Sequence, residues 1–356
     1  MDSNEIVFLL GAGASYDAGI PISSQMLKEL EYLINNNNGD NEWTKFKNLY
    51  YCIKSGIQYG LGIINKNEDM NIELLVNKMD ELIKSYEHPI YPFVGSWVPR
   101  LAELAGEEYI NVKKFKSLIV EQLVKWMDIP HPEVCDYYFG FIKFQKEFEY
   151  PIHIFSLNYD LCLEKQCKKH DVGCNRGFKE YIWEYKNFDK HDDSDDPINL
   201  YKIHGSIDWE DNDICIEEKD GIIKKHALIF GTSYKLQYID PFLYLFYEFR
   251  HQTLESATKI INCIGYSFND EHINGILRQA LIKDKLKKII SIRPLIMNEN
   301  NEELTINNEK YWIKEKLKLE NTKNIFVVNS DAKKFLENDI SKDFYMQYLK
   351  DNDEPF

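Results

Sequence analysis

The sequence predicts an α/β fold in which helices cover both faces of a parallel β-sheet. Short, almost continuous apolar runs such as EIVFL at 5–9 and KIINCI at 259–264 recur along the chain, and strands buried on both faces have this composition. Segments with helical spacing lie between several of these runs, at about 241–256, 271–283 and 308–319. Such alternation of strands and helices is typical of a parallel sheet. The 356 residues are enough to bury a large core.

The first predicted strand leads into a glycine-containing loop, LLGAGASYDAGIP at 9–21. A helix is predicted next in SSQMLKELEYLI, where one side carries Met26, Leu27, Leu30, Leu33 and Ile34. Glycines permit close backbone approach, and a helix N-terminus offers N–H groups to a diphosphate, to which Ser15 would add a hydroxyl. The glycines can equally serve packing in a tight turn, because Gly-x-Gly alone is a weak signal. Tyr16 stands at the third glycine position of dinucleotide folds, which disfavours a hydride-transferring dehydrogenase.

Residues 43–149 have helical patterns almost throughout and predict a helical insertion. The core of the fold would then comprise residues 1–42 and 150–356. Strands are predicted again at 150–160 and in five later runs: INLYKIHGS, HALIFGTS, KIINCIGYS, KKIISIRPL and NIFVVNS. We expect these runs to join the first strand in one parallel sheet.

Charge and cysteine content exclude several function classes. The formal charge of −15 argues against a broad duplex-binding face, against sequence-specific nucleic-acid binding and against an anionic membrane surface. The apolar runs are shorter than a membrane span and the N-terminus carries acidic flanks, so a cytoplasmic protein is predicted. The seven cysteines include no Cys-x-x-Cys pair, which predicts reduced thiols. Cys162, Cys167 and Cys174 fit no common zinc spacing, so no metal site is predicted.

Polar or small residues end four of the predicted strands, in the segments GAGAS, LNYD, HGS and GYS. Ligands of open parallel sheets bind beyond the carboxyl ends of the strands, so these segments are expected to meet. Asn158 can orient a water or a hydroxyl group and Asp160 can anchor a loop, although both residue types also form simple turns at strand ends. His204 can act as a general base or can be a hydrogen-bonded structural histidine.

The segments GAGAS…AGIP, LNYD, HGS, FGTS and IGYSFND, in this order, resemble the NAD-binding core of the sirtuin superfamily. The closer likeness is to its bacterial sirtuin-like NADase branch, whose members are often effectors in antiphage defence. The resemblance runs over most of the chain in separated blocks and covers residues 43–149 poorly. It implies a Rossmann-like, sirtuin-like NAD-binding domain over residues 1–356, with NAD⁺ as the substrate.

The resemblance also assigns roles to individual residues. Asn158 and His204 correspond to the catalytic residues of the family. The cofactor-binding residues are implied to be Gly11, Ala12, Gly13, Ala14 and Ser15 in the phosphate loop, Gly19, Ile20 and Pro21 in a flexible loop, Asp160 beside the nicotinamide ribose, Gly231, Thr232 and Ser233 beside the adenosine half, and Gly265 and Ser267 in the last nucleotide-contacting turn.

Two departures from the family pattern bear on the reaction. Protein-deacylating sirtuins carry a Phe–Arg pair after GIP, where this chain has Ile22, Ser23 and Ser24. They also carry a four-cysteine zinc module after the catalytic histidine, where this chain has only Cys215 before the FGTS segment. The resemblance therefore predicts a zinc-independent NAD⁺ nucleosidase that releases nicotinamide and ADP-ribose. It leaves open the choice between NAD and NADP.

Two alternatives to NAD⁺ hydrolysis remain at this point. One is NAD-dependent protein deacylation or ADP-ribosylation by the same core, and the other is a non-catalytic subunit that senses NAD or ADP-ribose. Because NAD⁺ destruction would harm the host, the resemblance further implies regulation of the activity. We expect a homo-oligomer, with the helical insertion contributing to assembly or to docking of an activating partner such as a HerA-type ATPase.

Overall fold

A computed structural model describes residues 5–36, 41–64, 70–87, 99–188, 197–212, 215–219, 221, 223, 225–230, 240–296 and 302–350. The chain divides into two compact units. The first comprises Met1–Ile20, Met127–Leu228 and Leu236–Phe356, and the second comprises Pro21–Trp126 and Ile229–Lys235.

The strands of the described residues are β1 (Ile6–Leu10), β2 (Ile152–Ser156), β3 (Cys174–Asn175), β4 (Phe178–Lys179), β5 (Ile182–Trp183), β6 (Ile198–Lys202), β7 (Gly205–Asp211), β8 (Ile216–Glu218), β9 (His226–Leu228), β10 (Ile260–Ile264), β11 (Lys288–Arg293) and β12 (Ile325–Asn329). The α-helices are α1 (Ser23–Asn35), α2 (Lys47–Ile64), α3 (Ile72–Glu87), α4 (Pro99–Ala105), α5 (Ile110–Met127), α6 (Phe139–Phe148), α7 (Cys162–Lys169), α8 (Phe242–Leu254), α9 (Glu271–Lys283), α10 (Glu302–Lys316), α11 (Ala332–Lys334) and α12 (Lys342–Lys350).

The first unit contains a seven-stranded sheet with the order β12-β11-β10-β1-β2-β6-β3. All neighbouring strands in it are parallel. Every residue of β1, β2 and β10 is buried, as expected for strands covered on both faces. The predicted parallel α/β fold is therefore confirmed, and it is consistent with a Rossmann-like, sirtuin-like architecture.

Aromatic side chains show how helices cover the two faces of this sheet. Phe8 of β1 makes edge-to-face contacts with Phe141 of α6 and Tyr345 of α12. The register pairs the next residue, Leu9, with Phe155 of β2, so Phe155 lies on the opposite face from Phe8. Phe155 packs edge-to-face against Phe249 of α8. Helices thus bury aromatic residues against both faces.

A second, antiparallel sheet includes β7, the strand that begins directly after His204. Its order is β4-β5-β8-β7-β9. Gly205, with φ of 89°, begins β7, and a Cβ at this position would lie 2.1 Å from the carbonyl oxygen of Ala227. The expectation that HALIFGTS forms a strand of the parallel sheet is wrong, because its strand residues, His226–Leu228, pair antiparallel with β7.

The elements described between residues 42 and 148 are all helical. Those of the second unit include the 3₁₀ turn Glu42–Phe46, α2 to α4 and nearly all of α5. Phe115 of α5 stacks on Phe46 with ring centroids 5.1 Å apart and meets Trp43 and Tyr50 edge-on. This aromatic cluster joins α2 and α5. None of the helices in the described part of the chain has an apolar stretch long enough to cross a membrane.

Candidate active site

Four neighbouring strands of the parallel sheet, in the order β10-β1-β2-β6, end at the same level. The register pairs Leu10 with both Ile264 and Ser156, and it pairs Ser156 with Lys202. The segments that leave this edge of the sheet contain Gly265, Gly11, Asn158 and His204. Asn158 lies two residues beyond Ser156, and His204 lies two residues beyond Lys202. Ser156 and Lys202 are paired on the adjacent strands β2 and β6. The structure therefore brings segments from all over the first unit to one edge, where open α/β sheets bind ligands.

The glycines of this edge pack against one another. The N–H of Gly11 donates to Ile264 O and the N–H of Gly13 donates to Gly265 O, each at 3.0 Å. A Cβ on Gly11 would lie 2.6 Å from Gly265 O, and a Cβ on Gly13 would lie 2.9 Å from Gly265 Cα. Gly265 itself has φ of 62°. These glycines are thus required by contacts between two backbone segments, whether or not a ligand also approaches them.

A 3₁₀ turn at Ala12–Ala18 lies between β1 and α1, so α1 does not begin directly after the glycines. Ala12 is exposed and is the first residue of this turn, where a backbone N–H has no partner within the turn. That group is available for an anion. Gly19 ends the turn with φ of 85°, Ile20 is buried, and Pro21 begins the second unit.

Ser15 does not present its hydroxyl to solvent. The residue is 1% exposed, and its Oγ donates to Asp160 Oδ2 at 2.7 Å. A hydroxyl has one proton, so the same oxygen accepts from its two other neighbours, Tyr138 OH at 2.8 Å and Asn158 Nδ2 at 3.0 Å. Burial raises the pKa of Tyr138 well above its ordinary value, which keeps its hydroxyl protonated as a donor. The proton expected to reach a diphosphate is directed to Asp160 instead.

The amide of Asn158 has one possible orientation. Its Nδ2 donates to Gly11 O at 2.9 Å and to Ser15 Oγ. Because a backbone carbonyl only accepts, the nitrogen and not the oxygen must face Gly11. Among the described residues no protein group donates to Asn158 Oδ1. The carbonyl oxygen therefore points away from Gly11 and Ser15 and can accept from a water or a ligand hydroxyl.

Asp160 holds several segments together. Its Oδ1 accepts from the N–H of Cys162 at 3.0 Å, which is an Asx turn at the start of α7, and its Oδ2 accepts from Ser15. Lys202 donates its ammonium to the backbone oxygen of Asp160 and lies 3.3 Å from Glu164. Both carboxylate oxygens of Asp160 thus have protein partners, and the residue forms a turn after the strand. The predicted contact of Asp160 with a ribose stays a prediction.

His204 faces a carboxylate that the sequence analysis did not assign. His204 Nε2 lies 3.4 Å from Asp270 Oδ2, and both side chains are buried. Asp270 is the N-cap of α9, and its Oδ1 accepts from the N–H groups of His272 and Ile273. The available signal was its position directly before the helical segment EHINGIL, where aspartate is a preferred cap. Nothing in the sequence indicated the contact with His204.

Two tyrosines that support the loop were also missed. Tyr137 and Tyr138 lie in a 3₁₀ turn, Pro132–Tyr138, that precedes α6. Tyr137 OH donates to Ala14 O at 2.8 Å, while Tyr138 OH donates to Ser15. The adjacent tyrosines in PHPEVCDYY are the only sequence signal, and an aromatic pair before a helix has no specific meaning.

Arg176, whose side chain is 11% exposed, anchors the second sheet beside His204. Arg176 pairs with Asp208 at 2.8 Å and Glu218 at 2.9 Å, and it lies 3.5 Å from Glu164. Burial alone would raise the pKa of Asp208, but the charge of Arg176 outweighs it and lowers that pKa to about 2. These ion pairs fix β7, which starts directly after His204.

The remaining predicted residues are placed as follows. Ser267 is exposed in the turn after Gly265, while Gly231, Thr232 and Ser233 lie outside the described residues. All seven cysteines are free thiols. Within the described ranges, no group of three or more His, Cys, Asp and Glu side chains is arranged to hold a metal ion.

This fold and edge define an α/β protein with a candidate nucleotide site at the carboxyl ends of parallel strands. Residues 152–327 match the SIR2-like domain family, so the chain contains a SIR2-like domain. The match spans β2 to β12 and includes Asn158, His204 and Asp270, whereas the glycine loop lies before it. No curated protein matches the chain. Sir2-like domains bind NAD⁺, which supports an NAD-related enzymatic role.

Proposed function

We propose that the chain is an NAD⁺ glycohydrolase that cleaves NAD⁺ to nicotinamide and ADP-ribose. One observation carries the proposal most directly. The nitrogen of the Asn158 amide donates to Gly11 and Ser15, so its oxygen faces away as an acceptor. This oxygen lies at the edge of the sheet where β2 and β6 end, and His204 follows β6 at the same edge. A SIR2-like domain with this pair has the groups needed at a reacting ribose.

The bond that breaks joins nicotinamide to C1′ of the ribose. Its electron pair leaves with nicotinamide, which is already a cationic pyridinium in NAD⁺ and needs no protonation. The ribosyl centre becomes oxocarbenium-like, and water must be positioned to attack it. Asn158 Oδ1 accepts from this water or from a ribose hydroxyl. His204 takes the proton that is lost as the water oxygen bonds to C1′, and it releases that proton to solvent.

The other half of the substrate supplies binding energy far from the reacting bond. The N–H of the exposed residue Ala12 is a donor for the diphosphate, and the backbone packing of Gly11 and Gly13 against Gly265 sets its position. Remote contacts of this kind hold the ribose in place for reaction. Ser15 contributes by holding Asn158, since its own proton is directed to Asp160.

Hydrolysis is favoured over protein deacylation by what surrounds the same core. A Phe–Arg pair is missing after Pro21. The segment after His204 forms β7, β8 and β9 of the antiparallel sheet, and Cys215 is the one cysteine between His204 and the FGTS sequence. On the resemblance described above, we further propose a regulated, NAD⁺-depleting effector of antiphage defence. Self-assembly and activation by a partner such as a HerA-type ATPase belong to this proposal.

The test uses the purified full-length chain with NAD⁺ and resolves nicotinamide, ADP-ribose and cyclic products by liquid chromatography. We expect stoichiometric nicotinamide and ADP-ribose, and about 10²–10⁴-fold lower turnover in Asn158→Ala and His204→Ala. Asn338→Ala and His251→Ala are the matched controls, because both residues are exposed. Binding of NAD⁺ without turnover would support a sensing subunit, and turnover only with an acyl-lysine peptide would support deacylation. Either outcome would overturn the proposal.

A further inference from the structure

Asp270 reaches His204 across two strands of the sheet. Asp270 follows β10 and His204 follows β6, and β1 and β2 lie between these strands. Even so, Asp270 Oδ2 lies 3.4 Å from His204 Nε2. The two side chains are 5% and 6% exposed, so water screens their interaction weakly. The chain thus places a carboxylate beside the histidine through a contact that no local sequence pattern requires.

The carboxylate is held rigidly from its other side. Oδ1 of Asp270 accepts from the N–H of His272 at 3.0 Å and from the N–H of Ile273 at 3.3 Å. The hydroxyl of Tyr266 lies 3.3 Å from the backbone oxygen of Asp270 and 2.9 Å from Asn274 Oδ1. One carboxylate oxygen is therefore committed to the helix, and the other is presented to His204 at a defined place.

We propose that Asp270 is a positioning residue that sets the tautomer and orientation of His204. The kinetic consequence of this proposal rests on the proposed function, but the tautomer of His204 does not depend on that function. In a neutral imidazole one nitrogen donates and the other accepts. A carboxylate oxygen beside Nε2 favours the tautomer with its proton on Nε2, which leaves the lone pair on Nδ1. In this tautomer Nδ1 is the acceptor nitrogen of the ring.

The observed distance is long for a charge-assisted hydrogen bond, which is usually 2.7–2.9 Å. Catalytic hydrogen bonds are often longer without substrate and shorten in its complex. We expect the contact between Asp270 and His204 to shorten in the same way when substrate binds.

The competing interpretation is that Asp270 serves only as a helix cap. Asp270→Asn separates the two roles, because asparagine caps helices about as well as aspartate. The cap needs an acceptor, so the amide oxygen of the variant must take the place of Oδ1. Its NH₂ group, a donor, then faces His204 and favours the opposite tautomer. A pure cap predicts no change, whereas a positioning residue predicts an inverted tautomer.

The experiment compares the wild type, Asp270→Asn and the control Asp331→Asn in the full chain. Asp331 caps α11 by accepting from the N–H of Lys334 at 2.7 Å, so the control makes the same change at another helix cap. Histidine ¹⁵N NMR at about pH 8.5, where an ordinary imidazole is neutral, reports the tautomer, and His204→Gln identifies the resonance. Thermal unfolding reports the cap, and kcat and KM for NAD⁺ report the reaction.

We expect the Nε2–H tautomer in the wild type and in Asp331→Asn, and the Nδ1–H tautomer in Asp270→Asn. Turnover should fall about 10²–10⁴-fold in Asp270→Asn, with KM changed less than about threefold and unfolding unchanged. The same tautomer in both proteins, or wild-type kcat in Asp270→Asn, overturns the proposal. If the wild type shows no NAD⁺ turnover, the proposed function fails, and the NMR comparison still decides whether Asp270 positions His204.

Discussion

Ser15 Oγ donates a 2.7 Å hydrogen bond to Asp160 Oδ2, and this bond joins the glycine loop to the segment after β2. Because its only proton is used there, Ser15 accepts from Asn158 and Tyr138. Asn158 is thereby bound through its nitrogen, and its oxygen is directed away. The serine of the glycine loop thus acts on the orientation of Asn158, whose role at the reacting ribose we propose.

Ser15→Ala should lower turnover far more than it lowers affinity for ADP-ribose. The variant removes an acceptor of Asn158 and a donor to Asp160, but it removes no diphosphate contact. Loss of these buried hydrogen bonds is expected to destabilise the fold by about 1–3 kcal/mol. Calorimetric titration with ADP-ribose measures the affinity, and the nicotinamide assay measures turnover. A tenfold or greater loss of ADP-ribose affinity would show that Ser15 contacts the diphosphate after all.

Tyr138→Phe removes one donor to Ser15 and keeps the buried ring. We expect a loss of about 1 kcal/mol in the free energy of unfolding, since a typical buried hydrogen bond contributes this much. The hydrogen bonds from Asn158 to Gly11 and Ser15 remain, so turnover should fall less than in Ser15→Ala. Urea unfolding and the nicotinamide assay test both statements, with Tyr150→Phe as the control because Tyr150 is exposed. Equal turnover loss in the two variants would contradict the assigned hydrogen-bond directions.

Gly265→Ala should destabilise the first unit by more than about 2 kcal/mol, because it combines a backbone clash with a strained φ. A Cβ on Gly265 would lie 2.2 Å from Ala14 N. Gly275→Ala is the control, since a Cβ there meets nothing within 4 Å and alanine favours the interior of α9. The midpoint of thermal unfolding should therefore fall in Gly265→Ala and rise in Gly275→Ala. A stable Gly265→Ala protein would mean that the loop can rearrange.

The ion pair of Asp208 with Arg176 predicts a specific loss of stability in acid. The pKa of Asp208 is about 2 in the folded protein and about 3.8 for an ordinary aspartate, so the native state binds this proton more weakly. Its contribution, about 2 kcal/mol, is complete above about pH 4 and is lost as the pH falls through 2. Urea unfolding of the wild type and Asp208→Asn from pH 2.5 to 6 measures it. If the free energy of unfolding changes with pH in the same way in both proteins, the lowered pKa of Asp208 is refuted.

Zinc removal is expected to leave the protein unchanged. Cys162 and Cys167 are buried in α7 and Cys174 lies in β3, and all three are free thiols. Elemental analysis of the untagged protein should find no stoichiometric zinc, and dialysis against a chelator should leave the melting temperature within about 1 °C. Stoichiometric zinc, or a chelator-dependent loss of stability, would overturn this expectation.

Local patterns predicted the parallel sheet and most of its helices. The helix expected at 271–283 has these bounds, and the one expected at 241–256 spans 242–254. Apolar runs and helical periodicity are properties of neighbouring residues, which is why they can be read without a structure. The strands β3, β4, β5 and β8 were missed because segments of two or three residues have no periodicity, and the seven-residue β7 was missed as well. β5 is joined to β8 by the pairing of Ile182 with Glu217, which lies far along the chain, and pairing with β7 placed His226–Leu228 in the smaller sheet.

By itself, the sequence determined which residue types follow the strands: glycines after β1 and β10, an asparagine after β2 and a histidine after β6. Only the tertiary structure decided what these residues contact. The order of strands in the sheet set which ends are neighbours, and the path of the chain after β10 brought Asp270 to His204. Hydrogen-bond directions then followed from the number of protons each group carries, as at Ser15 and Asn158. These contacts join segments far apart in the chain, so their geometry depends on packing of the whole unit and not on local periodicity.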